Sequence, residues 1–326
     1  MKTFKALIQK LGISLLIPII VYAVFAIMRP QIFLTWPTVY SVCLQSCIVC
    51  ILAWGISFSQ TAGIVDFSVA AERILGSVVG VILSRKLGIA GLVIGCMGVA
   101  TVIGLIKGVL NSMIKLSSMV ISVAYTFILG ALGAIIQGTN SMILSGSVCT
   151  LGRAPAIWII LVISGFIIFV LHRYSIFGAN CRALGGSNKI AGEAGISKAL
   201  TEGKAIFIAS IFAGISGIVA TSYGAGTAAS TGLDSMSIIF PAIIGFNIGR
   251  LLEKYVDITF GCIAGVVTMN ILATGLISIG IPSQLKDTVT GLFLLVLMIA
   301  TSFMERRRAD TLRRQASSQT TNASAA

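Results

Sequence analysis

TVYSVCLQSCIVCILAWGISF (38–58), IVDFSVAAERILGSVVGVILS (64–84) and GIAGLVIGCMGVATVIGLIKGVL (88–110) follow one another with barely a break. Each is about as long as the ~20 mostly apolar residues a helix needs to cross a bilayer. The first carries no charge. The second carries Asp66, Glu72 and Arg73, and the third Lys107. This succession decides the fold class: an all-α membrane protein. Working outward, seven more segments qualify or come close, 11–28, 117–136, 155–171, 204–223, 235–249, 258–280 and 285–304. The expected layout is about ten transmembrane helices in one membrane domain, 1–304, followed by a basic tail, 305–326. The run 11–28 reads as a retained helix rather than a signal peptide, because Arg29, Pro30 and Gln31 follow it where a small-residue cleavage site would stand.

Composition agrees. Of 326 residues, 56% are apolar and 10% charged, against about 25% charged in an average soluble domain. Mean hydropathy is +1.02. A soluble enzyme is thereby excluded, since the chain lacks the polar surface to cover itself. The net charge of +13 would suggest nucleic acid on a soluble protein. Here it reads as basic cytoplasmic loops, with no nucleic-acid partner. With the N-terminus inside, 17 of the 23 Lys+Arg fall on the cytoplasmic side, Lys107 and Lys115 among them, and five outside, so both termini are expected in the cytoplasm. Cys43, Cys47 and Cys50 share a helix face inside an apolar run, and no metal site is expected.

Glycine occurs 35 times, and the pairs Gly76/Gly80, Gly91/Gly95, Gly104/Gly108 and Gly261/Gly265 have the small-xxx-small spacing that lets helix backbones approach in lipid. Residues 95–110 and 261–276 form a faint repeat five spans apart, the spacing of an inverted repeat. Asp66, Glu72 and Arg73 are costly inside a membrane, at least ~2.5 kcal/mol each on insertion scales. They either snorkel to an interface or line a polar cavity. Arg73 is adjacent to Glu72, projects about 100° away from it, and needs a partner elsewhere. Asn111, Asn247 and Asn270 are further polar candidates.

Residues 172–203 form the longest inner loop. Gly185-Gly186 are expected as a flexible turn. Ser187 is placed to cap a short helix over 188–194, and Gly195 to end it in the left-handed conformation. Ile190, Ala191 and Ala194 would share its apolar face. No G-x-x-x-x-G-K-[ST] motif occurs, and Gly203-Lys204 continues into Ala205. ATP-driven transport would therefore need its ATP and Mg on a partner.

The stretch Arg182-Ala183-Leu184-Gly185-Gly186 through Ala191 to Gly195-Ile196 resembles the inner loop of monosaccharide ABC importer permeases, the ribose, galactose and xylose type. Ala62-Gly63-Ile64-Val65-Asp66-Phe67-Ser68-Val69, and Gly280-Ile281-Pro282 through Gly291 to Ala300, are similar to two further segments of that family. The resemblance implies a type II ABC importer-like bundle with an inverted repeat. It implies ABC ATPase subunits, a second permease subunit, an extracytoplasmic solute-binding protein and a bacterial inner membrane. By position it implies ATPase coupling at Arg182, Gly185, Gly186, Ala191, Gly195 and Ile196. It implies a solute pathway lined by Asp66, Ser68, Glu72 and Asn247. Ser187 stands where the family usually has Asn, and Glu72-Arg73 where it has small or apolar residues, as in a divergent member. The reading from a different class is a ten-span secondary transporter coupled to an ion or proton gradient through Asp66, Glu72 and Arg73.

Overall fold

The computed structural model describes residues 2–113 and 117–282, with 285, 288–293, 295, 296 and 299 beyond them; side chains are described from residue 15 on, Lys254 excepted. The predicted span 285–304 lies largely, and the tail 305–326 entirely, outside the described residues. Among these residues the chain is helical throughout, with one isolated bridge, Ile143 to Gly226.

The first nine predicted spans coincide with apolar helices. These are α1 (Lys2–Met28), α3 (Trp36–Thr61) after the short α2 (Pro30–Phe33), α4 (Ser68–Met113), α5 (Ser118–Gln137) and α6 (Ala156–Tyr174). The inner loop forms α7 (Ile176–Gly186) and α8 (Asn188–Glu193), and α9 (Lys198–Tyr223), α10 (Met236–Leu251) and α11 (Ile258–Ser278) complete the bundle. Among the described residues, six helices are long and apolar enough to cross a membrane: α3, α4, α5, α6, α9 and α11. Leu15–Met28 and Met236–Leu251 are apolar but shorter.

At 46 residues α4 would extend about 69 Å as one rod, over twice the ~30 Å hydrocarbon core. It is broken at Gly88 (φ 59°, ψ −136°), a conformation open to glycine and strained for other residues. The two arms fold back on each other, merging the predicted spans 64–84 and 88–110 into one hairpin. The anticipated glycine pairs are its seam. A Cβ on Gly95 would lie 2.5 Å from the Gly80 Cα, and one on Gly76 3.2 Å from the Cys96 carbonyl oxygen. The hairpin packs on α9 through Gly104 against Ser210 and Gly108 against Gly203. Gly261 and Gly265 likewise meet Gly249 and Gly245 between α11 and α10.

Gly95→Ala is therefore expected to lower the thermal midpoint of the detergent-purified protein by several degrees, because backbone atoms face the new methyl. Gly98, on the same arm, has open space around it. Gly98→Ala is expected to be neutral or to stabilise by up to about 1 kcal/mol through helix propensity. Equal behaviour of the two variants in a thermal-shift assay would count against the seam.

Aromatic and polar contacts lock the remaining helices. Trp54 Nε1 of α3 donates to the Thr259 carbonyl (2.9 Å) at the start of α11, and its ring fills the space beside Gly165 of α6. Asn270 Nδ2 donates to Ser46 Oγ (3.1 Å) and Ser216 Oγ to the Ile48 carbonyl (3.0 Å), interhelical bonds of the kind that hold membrane bundles. The outer side of the bundle is apolar: Val162 and Phe166 of α6, Ile135 of α5 and Val102 of α4 stand more than half exposed, a surface suited to lipid.

Contacts sort the helix ends into two faces. Thr61, Asn111, Gly185, Glu202 and Asp257 meet at one, and Phe33, Arg85, Ser141 and Ala225 lie at the other.

Candidate functional site

The turn after α3 builds the site. Gly63 ends that helix with φ 85°, Gly63 N–H donating to the Gln60 carbonyl (3.1 Å) and Ile64 N–H to the Ser59 carbonyl (2.8 Å). This paired closure satisfies the last carbonyls of the helix. Residues 64–67 enter α4 as an irregular segment, and Asp66 is buried there. Asp66 Oδ1 accepts from the Ser68 backbone N–H (3.0 Å) and from Ser68 Oγ (2.6 Å), so one carboxylate oxygen holds the first turn of α4.

Its other oxygen meets Lys107. Nζ of Lys107, on the second arm of α4, lies 2.9 Å from Asp66 Oδ2 and 3.0 Å from Glu72 Oε2. Glu72 Oε2 also accepts from Ser210 Oγ of α9 (3.0 Å). All four side chains are buried: Asp66 is 7% exposed, Lys107 2%, Glu72 1% and Ser210 0%. Glu72 Oε1 has no hydrogen-bond partner among the described residues. With all three groups ionised the cluster carries a formal charge of −1. Two carboxylates converge on one ammonium, and a buried charge is tolerated only with partners in place.

Lys107 was not expected here. The charge count places it in an inner loop; the structure places it inside the bundle, nearly two turns before the end of its arm. The signal was present, since a lysine inside GLIKGVL (104–110) requires a counter-ion. What was missing is the fold-back at Gly88 that brings residues 35 apart into contact. Glu72 shares a helix face with Ser68 in sequence but pairs with Lys107 and Ser210. Arg73 turns away toward Gly217 of α9 and forms no ion pair among the described residues.

Of the remaining pathway candidates, Ser68 belongs to the cluster through Asp66, and Asn247 does not. Asn247 Nδ2 donates to the Ile243 carbonyl of its own helix (3.0 Å), behind Pro241. A small cleft adjoins the cluster, lined by Asp66, Lys107, Asn111, Ser118 and Tyr125 among others.

The second part of the site is the inner loop. Ser187 caps α8 as expected, its Oγ accepting from Ile190 N–H (3.4 Å). Gly195 has φ 78°, with Gly195 N–H donating to the Gly192 carbonyl and Ile196 N–H to the Ala191 carbonyl, both 3.0 Å. Two expectations need correction. Gly185-Gly186 are the last turn of α7, not a flexible turn. They stay helical because Gly185 is pressed onto the Thr61 carbonyl of α3, where no Cβ fits. Nor do Ile190, Ala191 and Ala194 form one exposed face. Ala191 is 2% exposed and packs inward, while Ile190 is 67% exposed.

Behind α7, Arg182 Nη1 donates to the His172 carbonyl (2.7 Å). The His172 ring stacks on Phe58 (4.0 Å between centroids, 6° between planes), and its Nε2 lies 2.7 Å from Ser57 Oγ. His172, near the end of α6, is buried against α3 at 6% exposure. A polar cavity of about 550 Å³ opens beside it, lined by Arg173, Arg182, Arg250, Glu253 and Asp257 among others, with Arg173 paired to Asp257 (3.0 Å).

The family model described as "Branched-chain amino acid transport system / permease component" matches residues 38–300. The chain belongs to this permease family. That match spans the α4 hairpin, the inner loop and every element of the ion cluster. Among curated proteins, the chain is 25% identical over 317 residues to the L-arabinose ABC transporter permease protein AraH of Azospirillum brasilense, covering 93% of this chain and 90% of that protein. It is also 25% identical over 269 residues to the probable ABC transporter permease protein y4mJ of Sinorhizobium fredii (strain NBRC 101917 / NGR234), covering 79% of each. No solved structure matches. The permease is thus a divergent ABC-transporter membrane protein, as the resemblance implied.

Proposed function

We propose that this permease is the membrane subunit of a binding-protein-dependent ABC importer. It moves a sugar or sugar-like solute across a bacterial cytoplasmic membrane, and separate ATPase subunits hydrolyse the ATP. The observation that carries this reading is the inner loop: a doubly capped helix, α8, held on the bundle through Ala191 and presenting Ile190 outward. It is built as a rigid knob on a membrane domain that contains no nucleotide-binding motif. Such a knob suits a groove on a partner.

The face bearing α8 is the cytoplasmic one in this reading. Arg173, Arg182, Lys189, Lys198, Lys204, Arg250 and Lys254 lie toward it, against Arg29, Arg85, Lys86 and Arg153 toward the other, consistent with the bias of basic residues to the cytoplasm. The nine helical segments plus 285–304 make ten crossings with both termini inside, arranged as an inverted repeat. A sugar solute rests on the arabinose relative. Coupling is assigned to Arg182, Gly185, Gly186, Ala191, Gly195 and Ile196, and the solute pathway to the neighbourhood of Asp66, Ser68, Glu72 and Asn247. A binding protein delivers solute at the opposite face, and a second permease subunit, of the same or a related chain, completes the pore. A purified complex with a single permease species would favour the homodimer.

The secondary-transporter reading draws on the same buried Asp66, Glu72 and Lys107. The two are separated by uptake in proteoliposomes holding the permease with its ATPase and binding protein. Pentose uptake is expected only with ATP inside and the ATPase present. Uptake that persists without the ATPase and collapses with the ion gradient would overturn the importer.

A further inference from the structure

We infer that the Asp66–Lys107 contact is a latch opened from the inner loop, with Glu72 as the reserve partner that keeps Lys107 paired while the latch is open. The inference rests on the importer reading above and adds to it the element that moves.

The two halves of the loop are fastened to different sides of that contact. The first half, α7, is held on the end of α3: Gly185 sits on the Thr61 carbonyl, and Arg182 grips the His172 carbonyl while His172 stacks on Phe58. From Thr61 the chain passes through the closed turn at Gly63 into Asp66, so α7 and Asp66 form one mechanical unit. The second half leads through Ser197 into α9. The start of α9 is fastened to the arm that carries Lys107: Gly203 lies against Gly108, and Asn111 Nδ2 donates to Glu202 Oε2 (3.4 Å). Farther along, Ser210 of α9 holds Glu72. A force that separates α7 from the start of α9 therefore draws Asp66, with Ser68 and the start of α4, away from Lys107, while Glu72, one turn farther along that arm and bonded to Ser210, keeps its contact with Lys107.

The chemistry suits a two-state element. A buried ammonium that lost its sole partner would be left uncompensated at several kcal/mol, and the bundle would resist opening. With two carboxylates on one ammonium, releasing Asp66 leaves Lys107 paired with Glu72. The released carboxylate keeps its bonds to Ser68 and faces the cleft it lines together with Asn111, Ser118 and Tyr125.

The test is solute uptake and ATP hydrolysis measured in parallel on the full complex in proteoliposomes. Asp66→Asn keeps the oxygen that caps α4 and removes the charge, so the helix start survives. The solute moved per ATP is expected to fall by about tenfold, within the range of measured couplings between sites. Gly185→Ala, which pushes α7 off Thr61, is expected to reduce the same ratio, and the double variant no further than the worse single one. Gly98→Ala serves as the silent control. An unchanged ratio in Asp66→Asn, or losses that multiply in the double variant, would overturn the latch while leaving the importer standing. Absence of ATP-driven uptake by the unaltered complex would overturn the importer and the latch together.

Discussion

Lys107→Met is expected to remove most of the folded permease. The ammonium it deletes lies 2.9 Å from Asp66 and 3.0 Å from Glu72, and both carboxylates are buried. Without it, two acids face each other in a dry site, with only Ser68, Ser210 and a backbone N–H as donors. Removing one member of a buried ion pair costs about 3–5 kcal/mol, a large share of the ~5–15 kcal/mol that typically holds a folded domain. Packing is not the cause, because methionine nearly matches the lysine stem in shape. The triple variant Asp66→Asn, Glu72→Gln, Lys107→Met removes every charge and is expected to recover most of the loss. Thermal unfolding and the monodisperse fraction after detergent extraction read both variants. A single variant as stable as the unaltered permease, or a triple variant no better than the single, would contradict the account.

The second large effect is functional. Gly195→Val is expected to leave the bundle folded and to cut solute uptake per ATP by about an order of magnitude. Gly195 holds φ 78°, a conformation that costs a β-branched residue about 1–3 kcal/mol. Nothing lies within 4 Å of where a Cβ would stand, so the penalty considered is one of backbone conformation. The closure that fixes Ile196 N–H on the Ala191 carbonyl loosens, and α8, only six residues long, has little else to hold its end. The ATPase then grips an element that no longer transmits. Gly195→Asn, whose side chain tolerates the left-handed region, is expected to fall between the two. Uptake and hydrolysis assayed side by side decide it. Equal losses in both would point to failed assembly rather than uncoupling.

The two halves of the site differ in how they could be foreseen. The inner-loop helix was legible because its signals are local: Ser187 accepts from Ile190, three residues on, and Gly195 closes the helix just behind it. Its apolar face was misjudged because burial of Ala191 depends on where α7 and α9 run. Gly185-Gly186 illustrate the same limit. Two glycines in sequence allow a turn, yet close approach to the Thr61 carbonyl demands a helix with no side chain at Gly185. Asn247, a pathway candidate by position, lies apart from the ion cluster, its amide bonded to the Ile243 carbonyl.

By itself the sequence determined the membrane class, the places of nine apolar helical segments among the described residues, the glycine pairs of the packing seams and the capped helix of the inner loop. Each depends on hydrophobic length or on contacts a few residues apart along one helix. Only the tertiary structure decided which charges meet. Lys107 reads as one more basic residue of an inner loop until the break at Gly88 lays the second arm of α4 along the first. Ser210 joins from 138 residues beyond Glu72. Burial in a low-dielectric interior forces those charges to find one another, but the chain path chooses the partners. It also joins one side of the cluster to α7 and the other to α9.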